Sequence, residues 1–440
     1  MSSNLTAKSK PNSSAKQKSK LKPKRKPKAK PKDNLIVVFD PGTSLSKILY
    51  VINDGLVKWM TMGAEYFPLP SENAEFLPTN SDMGLPEDNA WVRTDKLEEC
   101  HTVGLLASNQ QATTSIKKSK KELLAYKIIA AVGAIAKREK LSPNFKLELG
   151  VLIPYDEFKH LKEDKDWSSN LKGALSNFYF QTQQLKVRLS DFQCMPEGYG
   201  IANYTSKQED SSCFQTGNSA VIMLGYRNTS CLYFRRGTID KTESGTTKLG
   251  FHTLLNKIID KVPTLSKKDL IAAITTETRK LYRSGYYAYG YEDEGTEIDF
   301  ASLSRSNNEE KALAVQHKLE RAYKTSVIEY WTLLSDWLDE TLPQVKEIDL
   351  MVFGGGSYQL LKSQLNEYAD SWNAEYIETD ASSRIKKYLL WEDAPHRERF
   401  LKENLGVRFA DAWGFFVKFA SYDLGLTLNF HSGEVDKNGN

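Results

Sequence analysis

The chain has 440 residues, 40% hydrophobic and 11% aromatic, enough apolar material for two packed cores rather than one. No stretch reaches the roughly 18 consecutive apolar residues of a membrane helix, and the N-terminus lacks the apolar segment of a secretory signal, so the expectation is a cytoplasmic protein that does not span a membrane. The four cysteines (Cys100, Cys194, Cys213, Cys231) have no metal-site spacing and the six histidines are scattered, which excludes a zinc-type centre and leaves any catalytic metal to oxygen ligands.

The net charge of +4 hides an asymmetry. Residues 1–32 carry twelve Lys or Arg and no acid, and subtracting those twelve leaves −8 for residues 33–440. Lys alternates with Pro from Lys22 to Lys32. Self-repulsion and the lack of apolar residues forbid a core there, so residues 1–33 read as a disordered basic arm. Such an arm binds DNA or an anionic membrane surface by releasing counterions, or it is a solvated tail with no partner.

Order is expected from Leu35 onward. The β-branched run Leu35 to Phe39 suits a strand buried on both faces. Asp40-Pro41-Gly42-Thr43-Ser44 then turns the chain into a second strand, Lys47 to Ile52. The polar, proline-bearing stretch Pro68 to Asn89 reads as a loop, and Lys117 to Lys140 as a helix. Leu147 to Ile153 and Leu185 to Phe192 read as strands. Thr205 to Asn218 is expected to be a loop leading into the strand pair Ala220 to Leu224 and Ser230 to Arg235. Helices are expected over Lys248 to Val262, Lys267 to Arg283 and Asn308 to Leu342. A buried strand, Ile348 to Phe353, ends in Gly354-Gly355-Gly356 before a helix from Ser357 to Trp372. The apolar helix near Phe409 to Tyr422 is expected to pack back onto the first half of the chain. The alternation of strands and helices makes the class α/β.

Three glycine-bearing turns at strand ends share one logic: glycine lets a phosphate approach the backbone, whose N–H groups form an anion-binding nest. In the first, Asp40 can hold a hydrated Mg²⁺ through water. Gly42, Thr43 and Ser44 supply donors there, and Lys47 adds a cation. The second, Met223 to Ser230, repeats that strand–turn–strand pattern with Gly225, Asn228 and Thr229. In the third, Gly354, Gly355, Gly356 and Ser357 leave room for a ribose or a base before a helix N-terminus. Each also reads, alone, as a plain turn. A fourth element, Met195-Pro196-Glu197-Gly198-Tyr199-Gly200-Ile201-Ala202, puts a carboxylate just past a strand end. Glu197 there can align water for attack on a γ-phosphate, or simply stabilise the dipole of the following helix.

In this order and spacing the four elements resemble the actin/heat-shock-chaperone/sugar-kinase superfamily over roughly residues 35–425. Within it the chain is most similar to bacterial and plasmid actin-like ATPases of the ParM/StbA type, on the wording Met195-Pro196-Glu197-Gly198, on Ala90-Trp91-Val92 with Val103 to Ala107, and on Leu149 to Pro154. The resemblance implies a two-lobed actin-like ATPase fold: duplicated ribonuclease-H-like domains around a nucleotide cleft. Lobe I would be 34–218 closed by a C-terminal helix at 405–425, lobe II 219–404, and 426–440 a polar tail. It further implies ATP and Mg²⁺ as ligands, Asp40 positioning the metal, Glu197 the attacking water, and Gly354 to Gly356 the adenosine. Filament formation driven by ATP hydrolysis would follow, with the chain itself and a DNA-bound adaptor as partners in plasmid segregation, or a cell-shape role. Two other functions stay open: a non-polymerising ATP-binding scaffold or small-molecule kinase, and a nucleic-acid-binding protein. GTP in place of ATP is also open. One departure stands out. The family opens its second phosphate turn with Asp, and this chain has Met223 there, with Asn228 the nearest polar residue. Slow hydrolysis is the expectation.

Overall fold

Leu35 to Phe39 are buried without exception, as a central strand requires, and they sit in the strand β1 (Asp33–Asp40) of a computed structural model. It describes residues 33–79, 84–94, 99–110, 120–207, 212–283, 298, 300–304, 308–345, 347–379, 399–400 and 405–428. Residues 1–32 of the expected arm and 429–440 of the expected tail lie outside the described residues, while Asp33 already belongs to β1.

β1 pairs antiparallel with β2 (Leu45–Ile52), and β2 pairs antiparallel with β3 (Lys58–Gly63). On its other side β1 lies parallel to β7 (Asn144–Ile153), which lies parallel to β9 (Gln183–Pro196). The far end of this sheet adds β8 (Phe178–Phe180), β5 (Trp91–Thr94), β6 (Glu99–Val103) and β4 (Tyr66–Pro70), in the order β3-β2-β1-β7-β9-β8-β5-β6-β4. Helices α1 (Leu105–Asn109), α2 (Lys120–Arg138), α3 (Tyr155–Glu163) and α4 (Lys165–Ser176) belong to this half. Apolar residues of α2, including Leu124, Ile128, Val132 and Ile135, pack with Phe145, Leu147, Phe178 and Phe180 as its core.

The second sheet repeats the scheme. β10 (Asn218–Leu224) pairs antiparallel with β11 (Thr229–Arg235), which pairs with β12 (Thr238–Ile239) and β13 (Gly245–Thr247). β10 also lies parallel to β14 (Leu350–Gly354), itself parallel to β15 (Glu375–Glu378). A hairpin flanked by two parallel strands thus occurs twice. Between the sheets in sequence come α5 (Tyr199–Thr205) and α6 (Ser212–Thr216). Then α7 (Phe251–Lys261), α8 (Lys267–Arg283), α9 (Glu309–Thr341) and α10 (Lys362–Ser371) cover the second sheet.

The last helix, α11 (Leu405–Val417), continues as a π-helical turn, Lys418–Asp423. Every residue of α11 through Phe416 is buried except Arg408, because it lies between the two sheets. It contacts β1, β2 and β7 as well as β14, and it crosses α5. A shared apolar core joins Ile36, Val38, Val221, Val352, Phe409 and Trp413. The helix expected to close the first half therefore packs against both.

Two loop expectations are corrected. Within Pro68 to Asn89 the chain forms β4 and a 3-10 helix, Ser71–Phe76. β4 ends the sheet order and tolerates Pro68 because an edge strand need not use every N–H in a ladder. Within Thr205 to Asn218 lies α6. The helix expected from Ser357 starts as a 3-10 turn, Tyr358–Leu361, before α10.

Candidate functional site

β1 and β10 deliver their turns to one cleft of about 510 Å³. From the first turn it is lined by Asp40, Gly42, Thr43, Ser44 and Lys47, and from the β9–α5 junction by Glu197. Met223, Gly225, Tyr226, Arg227 and Asn228 come from the second turn, and Gly355, Gly356 and Ser357 from the turn after β14. Elements separated by more than three hundred residues thus converge on one space.

Asp40 is 1% exposed at the end of β1, opposite Lys47 in the hairpin register. The two side chains form a buried ion pair. Each charge satisfies the other. Ile36, Val38 and Asp40 alternate on one face of β1, as Val221 and Met223 do on β10, and the apolar members of both sets meet in the shared core. Met223 is therefore the counterpart of Asp40, and a thioether stands where a second carboxylate would face the cleft.

At the third turn, Gly355 has φ of 94° and a Cβ there would lie 2.3 Å from the Leu224 carbonyl oxygen. Only glycine fits. Ser357 pins this turn to the second one, its Oγ donating to the carbonyls of Leu224 and Gly225 at 3.0 and 3.2 Å.

Glu197 is 6% exposed, and its N–H donates to the Ile153 carbonyl at 2.8 Å. It lies outside α5, whose N-terminal neighbour is Gly198 in the left-handed region. The carboxylate at that helix start is Asp411 of α11, accepting from Gly198 N–H at 2.8 Å and Ile201 N–H at 3.1 Å. Burial, with Asp40 and Glu197 adding repulsion, pushes the Asp411 carboxyl up to about 7 against the pull of those two N–H groups.

Two expected residues do not line the cleft. Thr229 is fully buried and its hydroxyl donates to the Leu249 carbonyl. Gly354 ends β14, and its missing side chain makes room for Ile201 and Thr379. Several lining residues had no motif to mark them: Ile271, Ile274, Thr275 and Thr276 of α8, Phe251 of α7, Gln359 and Leu360, and Arg408 of α11. Arg408 Nη2 donates to Ser44 Oγ at 3.2 Å, bridging α11 to the first turn. The only usable signal for Asp411 was a lone acid inside the otherwise apolar segment Phe409 to Phe416.

The donor set suits a magnesium nucleotide. Lys47, Arg227 and Arg408 put cations on the cleft walls, backbone turns add N–H groups, and Asp40 supplies a carboxylate. The Asn228 side-chain oxygen is buried without a hydrogen-bond partner among the described residues, a free acceptor of the kind that takes a metal-bound water. No group of His, Cys, Asp and Glu among the described residues forms a direct metal cage.

A duplicated sheet scheme, two hairpin turns facing each other and a cleft between them make a two-lobed actin-like fold. This fold is shared with solved ParM structures. Bacillus thuringiensis ParM with AMPPNP superposes with a TM-score of 0.52 at 14% identity, covering 87% of this chain and 98% of that one. Bacillus thuringiensis ParM with ATP gives 0.52 at 12% identity, covering 86% and 97%. No protein-family model and no curated protein sequence matches the chain.

Proposed function

We propose that the protein is a filament-forming actin-like ATPase that binds Mg-ATP in the cleft and couples its hydrolysis to assembly, in plasmid DNA segregation or as a cell-shape cytoskeleton. The observation carrying this is the convergence of both hairpin turns, Glu197 and the Gly355–Ser357 turn on one cleft. The fold shared with ParM solved with ATP supports it.

In this reading the phosphates lie between the two hairpin turns, met by Gly42 to Ser44 and by Gly225 to Asn228. Lys47 would meet the polyanion, and Asp40 would hold the magnesium ion. Magnesium supplies charge neutralisation on the phosphates. Glu197 accepts a hydrogen bond from water and aligns it on the γ-phosphate. The apolar wall of Ile271, Ile274 and Leu360 takes the base by shape, which serves adenine or guanine. With a single cleft-facing carboxylate at the strand tips, turnover is slow and filaments are long-lived.

Met223 favours a second reading, an ATP-binding scaffold that does not hydrolyse. The proposed partners are further copies of the chain, a DNA-bound adaptor, and a polyanion for the basic arm, either DNA or an anionic membrane. No described helix is long and apolar enough to cross a membrane, and Cys100, Cys194 and Cys231 are free thiols, which fits a reducing cytoplasm. Light scattering with electron microscopy of the purified chain, with and without Mg-ATP, tests the proposal. Filaments that need the nucleotide support it; tight ATP binding with no filaments moves the assignment to the scaffold or a small-molecule kinase.

A further inference from the structure

Glu197, the residue proposed to orient water, is held to the end of β7 by its own N–H, which donates to the Ile153 carbonyl. The backbone on its other side leaves the strand at once through Gly198, at φ 95° and ψ −17°. A left-handed glycine is the softest link in such a junction, because it can adopt many other conformations at little cost. Asp411 closes it. Its carboxylate is 2% exposed and uses both oxygens, one on the Gly198 N–H and one on the Ile201 N–H. The same carboxyl lies within electrostatic reach of Asp40 and Glu197. A fully desolvated acid near two others is an expensive arrangement for capping a helix of seven residues, and an apolar residue would suit the rest of this helix face.

We infer that Asp411 is a positioning residue for the proposed hydrolysis: by clamping Gly198 and Ile201 it fixes where the Glu197 carboxylate points into the cleft. The inference rests on the ATPase reading. It reaches Glu197 from a helix more than two hundred residues later in the chain, so the water-orienting group depends on how α11 sits between the two sheets.

The test compares Asp411→Ala and Asp411→Asn with the wild-type full chain. Phosphate release, ATP affinity by calorimetry and amide exchange of residues 195–205 are measured. Loss of the clamp is expected to slow release by roughly tenfold to a hundredfold in Asp411→Ala, the scale of a small misplacement at a reacting centre, with ATP affinity changed less than about threefold. Asp411→Asn keeps one carbonyl acceptor and should recover part of the rate. Exchange at Gly198 and Ile201 should rise in both variants. Unchanged release in Asp411→Ala beside a lowered melting temperature reduces Asp411 to a structural cap and overturns the inference. So does an equal fall in rate and affinity. If Asp411→Ala does not fold, an Asp411→Asn protein with wild-type release and exchange overturns it instead. A wild type that binds ATP but releases no phosphate is a different failure: it overturns the ATPase reading, and the positioning role falls with it.

Discussion

The crossing of α5 and α11 yields the sharpest structural prediction. A Cβ placed on Gly200 would lie 1.8 Å from the Asp411 carbonyl oxygen and 2.7 Å from the Phe415 nitrogen. A Cβ on Gly414 would lie 1.8 Å from the Gly200 carbonyl oxygen. Ordinary contacts need at least about 3.4 Å, so Gly200→Ala forces the helices apart by more than an ångström in a close-packed interior. Overpacking of this kind costs about 1–3 kcal/mol. Separating the helices also strains the two N–H bonds to the Asp411 carboxylate, at about 1.5–3 kcal/mol for a charged pair, so a total near 4 kcal/mol is expected. With about 2.1 cal/mol/K per residue over roughly 400 residues, that corresponds to a fall of about 5 °C in melting temperature. Circular dichroism melting is the assay. Gly173→Ala is the control, since Gly173 lies within α4 with nothing inside 4 Å of a new Cβ; it should gain about 0.5–1 kcal/mol. If Gly200→Ala melts within 1 °C of wild type, the close crossing and the reasoning built on it are wrong.

Glu197→Ala should keep ATP affinity within about threefold while slowing phosphate release by 10²–10⁴; unchanged turnover removes Glu197 from the reaction. Met223→Asp should speed phosphate release severalfold by returning a carboxylate to the cleft-facing strand tip, and lower the melting temperature because a charge enters a site only 7% exposed. A rate equal to wild type would show that Met223 does not limit turnover. His101 packs with Tyr66 and Tyr126 in a three-ring cluster, with Tyr66 Oη at 2.8 Å from its Nδ1, and burial holds it down at about 4. The unfolded chain protonates it near 6.5, so the contribution of His101 is intact above that pH and is lost as pH falls toward about 4. The urea midpoint should decline across that window and His101→Phe should flatten the decline; the same slope in both proteins contradicts the assignment.

The two hairpin turns were legible because each is contiguous: an apolar run, a polar turn with glycine, and a second apolar run carry the whole signal locally. Their meeting was legible only through the order of the motifs, since periodicity says nothing about which strand tips face each other. The opposition of Met223 to Asp40 is of this kind, a matter of strand parity that the sequence expressed and the duplicated sheets place in space. Neither Arg408 as a cleft residue nor Asp411 as the acid at the start of α5 was legible. They sit on a helix whose apolar pattern reads as core, and their role comes from its lodging between two sheets more than two hundred residues earlier in part. Thr229 and Gly354 show the opposite case, in which motif membership overstates the contact: one hydroxyl is used up on Leu249, and one glycine exists to admit Ile201. The two prolines of β4 read as loop, while the edge position that accommodates them is a tertiary fact.

Calorimetric titration of Mg-ATP into the wild type and Asp40→Ala tests most directly whether this cleft takes a magnesium nucleotide through the Asp40 turn. Saturable one-to-one binding is expected in the wild type and an affinity at least tenfold weaker in the variant, a loss of about 1.4 kcal/mol or more. Equal affinity in the two proteins, or no heat of binding to the wild type at millimolar ATP, would contradict it.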